Sequence, residues 1–231
     1  MALSVLHCPT TVGGNPQHLA RVERSLGLRS HSVAFAHSRY NYPVDEVLWK
    51  DQARAVRQQL KRWTLLLRAR RDFDVVHYNF GSSILPWSLP LPKRLLSRRV
   101  PHLLYSRLCR WTECRALRKK VIAVTYQGDD ARQGDYCRRH FDISIANEVG
   151  RDYYSPESDE AKRRNIAWFG EYADLIYALN PDLLRVLPKR AEFVPYAHID
   201  LSEWAPSPRS ACVVPLVVHA PGSFERERVA T

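Results

Sequence analysis

Apolar and polar residues follow one another along this chain in short runs whose period keeps changing. Residues 3–7 (LSVLH) form a compact apolar run that breaks at Cys8-Pro9-Thr10-Thr11 and then at Gly13-Gly14. Asn15-Pro16 follows, a helix cap with proline at the first helical position, and Leu19, Val22 and Leu26 recur at helical spacing as far as Gly27. The pattern predicts a strand, a glycine loop and a helix in that order. Residues 31–36 (HSVAFA) predict a second strand. Residues 45–71 predict one or two helices, with Val56, Leu60, Trp63 and Leu67 on one face and basic residues on the other.

Residues 73–78 (FDVVHY) predict a third strand, nearly continuous in apolar character, as suits a parallel sheet buried on both faces. Gly81-Ser82-Ser83 then opens a loop punctuated by Pro86, Pro90 and Pro92. Residues 102–118 predict a helix with Leu104, Leu108 and Trp111 on one side. Further strands are predicted at residues 121–126, 141–147, 173–180 and 192–196. Ser155-Pro156 predicts a helix start, reinforced by Glu157, Asp159 and Glu160 in the first turn, where negative charge is favoured. Asn180-Pro181-Asp182 predicts a shorter helix carrying Leu183, Leu184 and Leu187.

Strands alternate with helices throughout, which predicts an α/β fold on a Rossmann-like, doubly wound parallel sheet. Residues 1–200 form the expected domain, and residues 201–212, rich in serine and proline, the expected linker. Residues 213–231 then hold an apolar run, Leu216-Val217-Val218, between Pro215 and His219-Ala220-Pro221-Gly222. That run is expected to be the first strand of a second, truncated domain.

Charge changes the picture by its placement. The net charge is +11, but residues 54–71 hold seven Lys and Arg with no acid, and residues 93–120 hold ten with Glu113 as the lone acid. An excess confined to two stretches suits a docking surface better than a generally basic protein. No pattern of a nucleic-acid-binding fold accompanies it, so nucleic acid is not an expected partner. The five cysteines, Cys8, Cys109, Cys114, Cys137 and Cys212, form no CxxC pair and have no histidine at zinc-ligand spacing, so no metal site is expected. The start has neither a basic n-region nor a long apolar run, and no stretch reaches the roughly 18 apolar residues that span a bilayer. A cytoplasmic protein with reduced thiols is the expectation.

Ligands of open parallel sheets bind beyond the carboxyl ends of the strands, so residues just after each strand are the candidates. Gly13 and Gly14 precede a helix N-terminus, a place that favours an anion, although glycine there has an equally good steric explanation. His77 and Asn79 follow the third strand, His77 being as well suited to a satisfied core position as to a ligand contact. Gln127-Gly128-Asp129-Asp130-Ala131-Arg132 follows the fourth and is the densest polar group in the chain. Two carboxylates, an amide and a guanidinium there suit a polyhydroxylated substrate; the competing reading is an Asp that caps the next helix and pairs with Arg132. Glu148 follows the fifth strand. Phosphate-loop, HExxH and GxSxG motifs are absent.

Taken in order, the segments LSVLH…GGNPQHLARVERSLG, DVVHYNFGSS, VIAVTYQGDDAR, ADLIYALNPDLLRVLP and EFVPYAHID resemble the N-terminal domain of GT-B glycosyltransferases of the family 4 type, over essentially residues 1–200. The resemblance implies an acceptor-side domain, a second domain that holds the nucleotide-sugar donor, and reaction in the cleft between them. It implies no cofactor, since the nucleotide sugar is a substrate, and an acceptor that is a glycan or is lipid-linked. The family's second domain carries a Glu-x7-Glu signature, and no two glutamates here have that spacing. By the resemblance Gly13 and Gly14 match first-loop glycines near donor phosphates or acceptor, and Gln127 stands where many relatives have a histidine. Glutamine cannot exchange a proton there but can hydrogen-bond a sugar hydroxyl. Asp129, Asp130 and Arg132 would line the cleft. Many relatives work at the inner membrane face, and residues 84–120 combine Trp87, Leu89, Leu91, Leu95 and Leu96 with basic residues, a pattern suited to peripheral contact with an anionic membrane. Arginine stems covering apolar surface explain the same pattern. The alternative function is a catalytically silent module that binds a glycan or a partner.

Overall fold

The computed structural model describes residues 2–38, 40, 42–49, 55–86, 99–150 and 152–196. Seven parallel strands form one sheet: β1 (Ser4–Cys8), β2 (Arg29–Ala34), β3 (Glu46–Val47), β4 (Val75–Asn79), β5 (Val121–Tyr126), β6 (Leu175–Ala178) and β7 (Glu192–Phe193). Their spatial order is β3-β2-β1-β4-β5-β6-β7. The order reverses between β1 and β4, and the crevice at their carboxyl ends is where a sheet of this kind receives its ligand. The α/β, doubly wound, Rossmann-like class expected from the alternating pattern is the class observed.

The helices are α1 (Asn15–Ser25), α2 (Ala55–Asp72), α3 (Arg99–Leu117), α4 (Gly134–His140), α5 (Ile145–Glu148) and α6 (Pro156–Tyr172). They divide unequally between the two faces. Strand residues Leu6, Cys8, Val76, Tyr78, Ile122, Val124, Tyr126 and Ile176 join one buried core with Leu65, Leu66 and Ala69 of α2, Cys109 and Leu117 of α3, and Ile166 and Phe169 of α6. The alternate residues Val5, His7, Val75, His77, Ala123, Thr125, Leu175 and Tyr177 point to the other face, where α1 packs. The right-handed crossover rule accounts for the division: the one helical connection running from β1 out to β2 lies on one side, and connections running the other way lie on the opposite side.

Four sequence expectations change. Residues 141–147 form no strand; residues 141–144 are a loop, with Ile143 94% exposed, and residues 145–147 belong to α5. Phe141 and Ile145 pack instead on a small cluster of Cys137, Ala146 and Tyr154, and β6 takes the place beside β5. Glu46–Val47, inside the predicted helix of residues 45–71, is an edge strand, anchored because Asp45 accepts from both the backbone and the hydroxyl of Ser32. The cap of α1 is Gly14 in left-handed conformation; Asn15 is already helical and caps nothing. Finally, Val56, Leu60, Trp63 and Leu67 of α2 and Leu104, Leu108 and Trp111 of α3 are exposed, and both helices bury the neighbouring face. The start at Ser155 is as expected, its hydroxyl accepting from the Ser158 N–H at 3.2 Å. The linker and second domain expected at residues 201–231, and Trp87, Leu89, Leu91, Leu95 and Leu96, lie outside the described residues.

Candidate functional site

The loop after β1 holds Gly13 and Gly14 at positive φ (67° and 71°), and places Gly13 against the carboxyl end of β5 while Gly14 faces His18 and Tyr42. A Cβ on Gly13 would lie 2.6 Å from Gln127 Oε1, so the close approach requires glycine there. Gln127 Nε2 donates to Asn79 Oδ1 at 2.6 Å across the β4–β5 pair. Both side chains are buried, and among the described residues Gln127 Oε1 and Asn79 Nδ2 have no partner. Turning both amides over reverses the bond between them and again leaves one donor and one acceptor unmatched. An unmatched amide pair buried at a ligand-receiving edge suits a group that both donates and accepts, as a hydroxyl does.

The backbone around this pair is held firmly. The Gln127 carbonyl accepts from Asn180 Nδ2 and, at 3.1 Å, from the Tyr196 hydroxyl. The Tyr196 ring comes within 3.7 Å of a Cβ built on Gly13, so it stands beside the glycine loop. Asp130 turns back on its own strand end and accepts from the N–H groups of Gln127 (3.0 and 3.1 Å) and Gly128 (2.7 Å). Burial pushes its carboxyl up to about 6, against the lowering effect of those bonds, and the neighbouring Asp129 adds to the rise.

Asp129 and Arg132 are engaged in the same way. Asp129 accepts from Tyr153 (2.8 Å) and Tyr154 (2.6 Å) and pairs with Arg132 at 3.3 Å; Arg132 also pairs with Asp182 at 2.9 Å. Arg132 therefore has the carboxylate pairing that a structural role predicts. No aspartate of the QGDDAR segment caps the next helix: Asp159 of α6 does so, accepting from Gly134 and Asp135 N–H groups at 2.9 Å each. Glu148 is exposed at the end of α5, and among the described residues no hydrogen bond or ion pair joins it to the other candidates.

His77 lies beneath α1, within a chain of four side chains of which His7, His77 and Thr125 are buried and Glu23 is half-buried. Glu23 Oε2 is 2.8 Å from His7 Nε2, the two Nδ1 atoms of His7 and His77 are 3.0 Å apart, and His77 Nε2 is 2.6 Å from Thr125 Oγ1. Glu23 as carboxylate must accept, so His7 carries a proton on Nε2, and a single proton lies between the two facing Nδ1 atoms. Burial, aided by His7, brings His77 down to about 3, so it is neutral near pH 7. The chain sits in the wall of a largely apolar groove of about 560 Å³, lined by Val5, Val75, Ala123, Leu175 and Tyr177.

The structure thus joins Gly13, Asn79 and Gln127, and leaves His77 and Glu148 apart. Sequence reasoning had Asn180 at the end of the sixth predicted strand, and missed Tyr196 and two residues on the opposite face, Arg62 and Glu113. Glu113 is fully buried and accepts from Ile84 N–H (3.0 Å), Leu85 N–H (2.9 Å) and the Tyr78 hydroxyl. Its isolation in a basic stretch was the available signal. Among the described residues no three His, Cys, Asp or Glu side chains are grouped to hold a metal ion, and no helix is long and apolar enough to cross a membrane.

No family model matches the chain, and no curated protein matches it in sequence. Among solved structures it is similar to HepE (Alr3699) of Anabaena, determined in complex with UDP and glucose, at 10% identity and a TM-score of 0.46, over 90% of this chain and 47% of that one. It is also similar to a UDP-glucose 4-epimerase at 11% identity and a TM-score of 0.33, over 76% of this chain and 50% of the other. The chain spans about half the length of each.

Proposed function

We propose that residues 1–200 are the acceptor-side domain of a glycosyltransferase of the GT-B, family 4 type, which passes a sugar from a nucleotide-sugar donor to a glycan or lipid-linked acceptor. One observation carries this reading: the Asn79–Gln127 amide pair, buried at the switch point of the sheet beside Gly13, has an unmatched donor and an unmatched acceptor. Sugar hydroxyls supply both partners at once. Gly13 gives the close approach, while Asp130, Asn180 and Tyr196 hold the strand end in place. In this reading residues 201–212 are a linker, residues 213–231 open the donor-side domain, and the chain alone binds acceptor without transferring sugar.

Peripheral contact with an anionic membrane at its cytoplasmic face belongs to the same reading. Leu104, Leu108 and Trp111 of α3 are 59–64% exposed, and Arg107, Arg115 and Arg118 are exposed beside them. Saturation-transfer NMR of the chain with neutral and acidic oligosaccharides tests the acceptor site. Binding is expected, with a loss of at least about tenfold in Gln127→Ala, the cost of one or two hydrogen bonds. Glycan binding indifferent to Gln127→Ala and Gly13→Ala would sink the proposal, and so would transfer by the chain alone at an ordinary enzyme rate of about 1 s⁻¹ or more.

A further inference from the structure

A second cavity, of about 380 Å³, opens on the opposite face of the same sheet edge, between the ends of β1, β2 and β4 and helices α2 and α6. Three of the side chains lining it have buried polar atoms with no partner among the described residues: Thr10 Oγ1, Arg62 Nε and Asn165 Oδ1. Arg62 is held in a fixed plane. Its Nη1 donates to the Ile84 carbonyl at 2.8 Å, and its guanidinium lies 3.9 Å from the centre of the Phe35 ring, which itself stacks on Trp49. No carboxylate pairs with it among the described residues. Glu113, the acid whose field it feels, is engaged with the Ile84 and Leu85 N–H groups and the Tyr78 hydroxyl. A half-buried guanidinium with a free Nε–H calls for an oxyanion.

Asn165 adds a second requirement. Its Nδ2 donates to the Gly81 carbonyl at 2.6 Å, which fixes the orientation of the amide, so the unmatched atom is the acceptor oxygen. That oxygen needs a donor from the ligand. A fully deprotonated anion such as sulfate leaves Asn165 unsatisfied, inorganic phosphate offers only its own P–OH and no separate hydroxyl, and a neutral sugar leaves Arg62 uncompensated. We propose that this cavity binds the carboxylate or phosphate of a hydroxylated acid, an acidic sugar, with Arg62 Nε and Thr10 Oγ1 donating to the oxyanion and Asn165 Oδ1 accepting from a hydroxyl. The cavity shares its loops with the amide pair, since Thr10 is on the Gly13 loop and Gly81 follows Asn79 by two residues. Resting on the proposed function, it names the acceptor as an acidic glycan.

Calorimetric titration of the full chain with glucuronate, glucose 6-phosphate, glucose and inorganic phosphate is the test. One of the two acidic sugars is expected to bind at least tenfold more tightly than glucose and than inorganic phosphate. Preference for glucuronate makes the recognised group a carboxylate, and preference for glucose 6-phosphate makes it a phosphate. Arg62→Lys, which keeps the charge but loses the Nε–H, is expected to weaken that binding at least tenfold; if it does not fold, Thr10→Val carries the test, with a threefold or greater loss expected. Equal binding of glucose and both acids, inorganic phosphate binding as tightly as the sugar phosphate, or full affinity in the folded variant overturns the inference. Acidic sugar that ignores the Arg62 cavity, with glycan binding still lost in Gln127→Ala, removes this inference and leaves the proposed function. Acidic-sugar binding lost in Arg62→Lys, with Gln127→Ala indifferent, does the reverse.

Discussion

Asp130 is a carboxylate whose protonation bears on stability. Its folded pKa, pushed up by burial to about 6, lies above the value of 3.8 expected in the unfolded chain. The native state therefore holds the proton more tightly, and the stability this contributes is complete below about pH 4 and lost as pH rises through 6. A two-unit difference corresponds to about 3 kcal/mol at most. In Asp130→Asn, urea unfolding followed from pH 4 to 7 is expected to lack that decline; an unchanged pH profile would show that the carboxyl stays ionised. Gly13→Ala is expected to cost about 1–2 kcal/mol, from positive φ and from contact with Gln127, and to displace the amide pair. Thermal unfolding and glycan titration of the same variant check both effects. Gly13, Asn79 and Gln127 were legible in the sequence because strand ends in a parallel sheet are predictable. Arg62 was not, being one of seven basic residues between 54 and 71; only packing selects the one that turns inward.

Helix starts and strand interiors were readable because they depend on neighbours along the chain. The Ser155 cap is an example: Ser155→Ala is expected to lower stability by about 1 kcal/mol, and Ser155→Asp to restore it, by chemical denaturation. The face that a helix buries was not readable. On α2 and α3 both tryptophans and several leucines are exposed, while Leu65, Leu66 and Ala69 on one helix and Cys109, Glu113 and Leu117 on the other are buried. Each helix has two apolar arcs, and the sheet contact, not side-chain size, chooses between them. Trp111→Glu and Leu108→Glu are accordingly expected to change unfolding stability by no more than about 0.5 kcal/mol. In flotation with vesicles containing phosphatidylglycerol the same variants are expected to lose binding. Loss of folding instead would mean that this face is packed. Residues 141–147 misled for a related reason: alternation marks a half-buried segment, and a loop running into one helical turn over a small cluster alternates as a strand does.

At the scale of the molecule, the paired histidines, the amide pair and the Arg62 cavity are all products of register. His7 faces His77 because β1 and β4 pair with those residues opposite, and Asn79 reaches Gln127 across β4 and β5. Glu113 ties α3 to β4 and to the Ile84–Leu85 segment after it, so its removal should be damaging. Glu113→Ala is expected to cost about 3 kcal/mol by leaving three buried donors unmatched, and to loosen the Ile84–Leu85 segment beside the cavity, measurable by amide exchange. The sequence by itself determined the α/β class, six of the seven strands, the main helices and the strand-end residues, because periodicity, caps and glycine loops act locally. Only the tertiary structure decided that Asp129, Asp130 and Arg132 hold the edge together, that His77 lies beneath a helix, and that Arg62 faces a cavity. Arg132 with Asp182 and His7 with His77 join residues 50 or more positions apart, and Arg62 with Ile84 and Asp129 with Tyr153 and Tyr154 join residues more than 20 apart; such contacts leave no periodic trace in the chain.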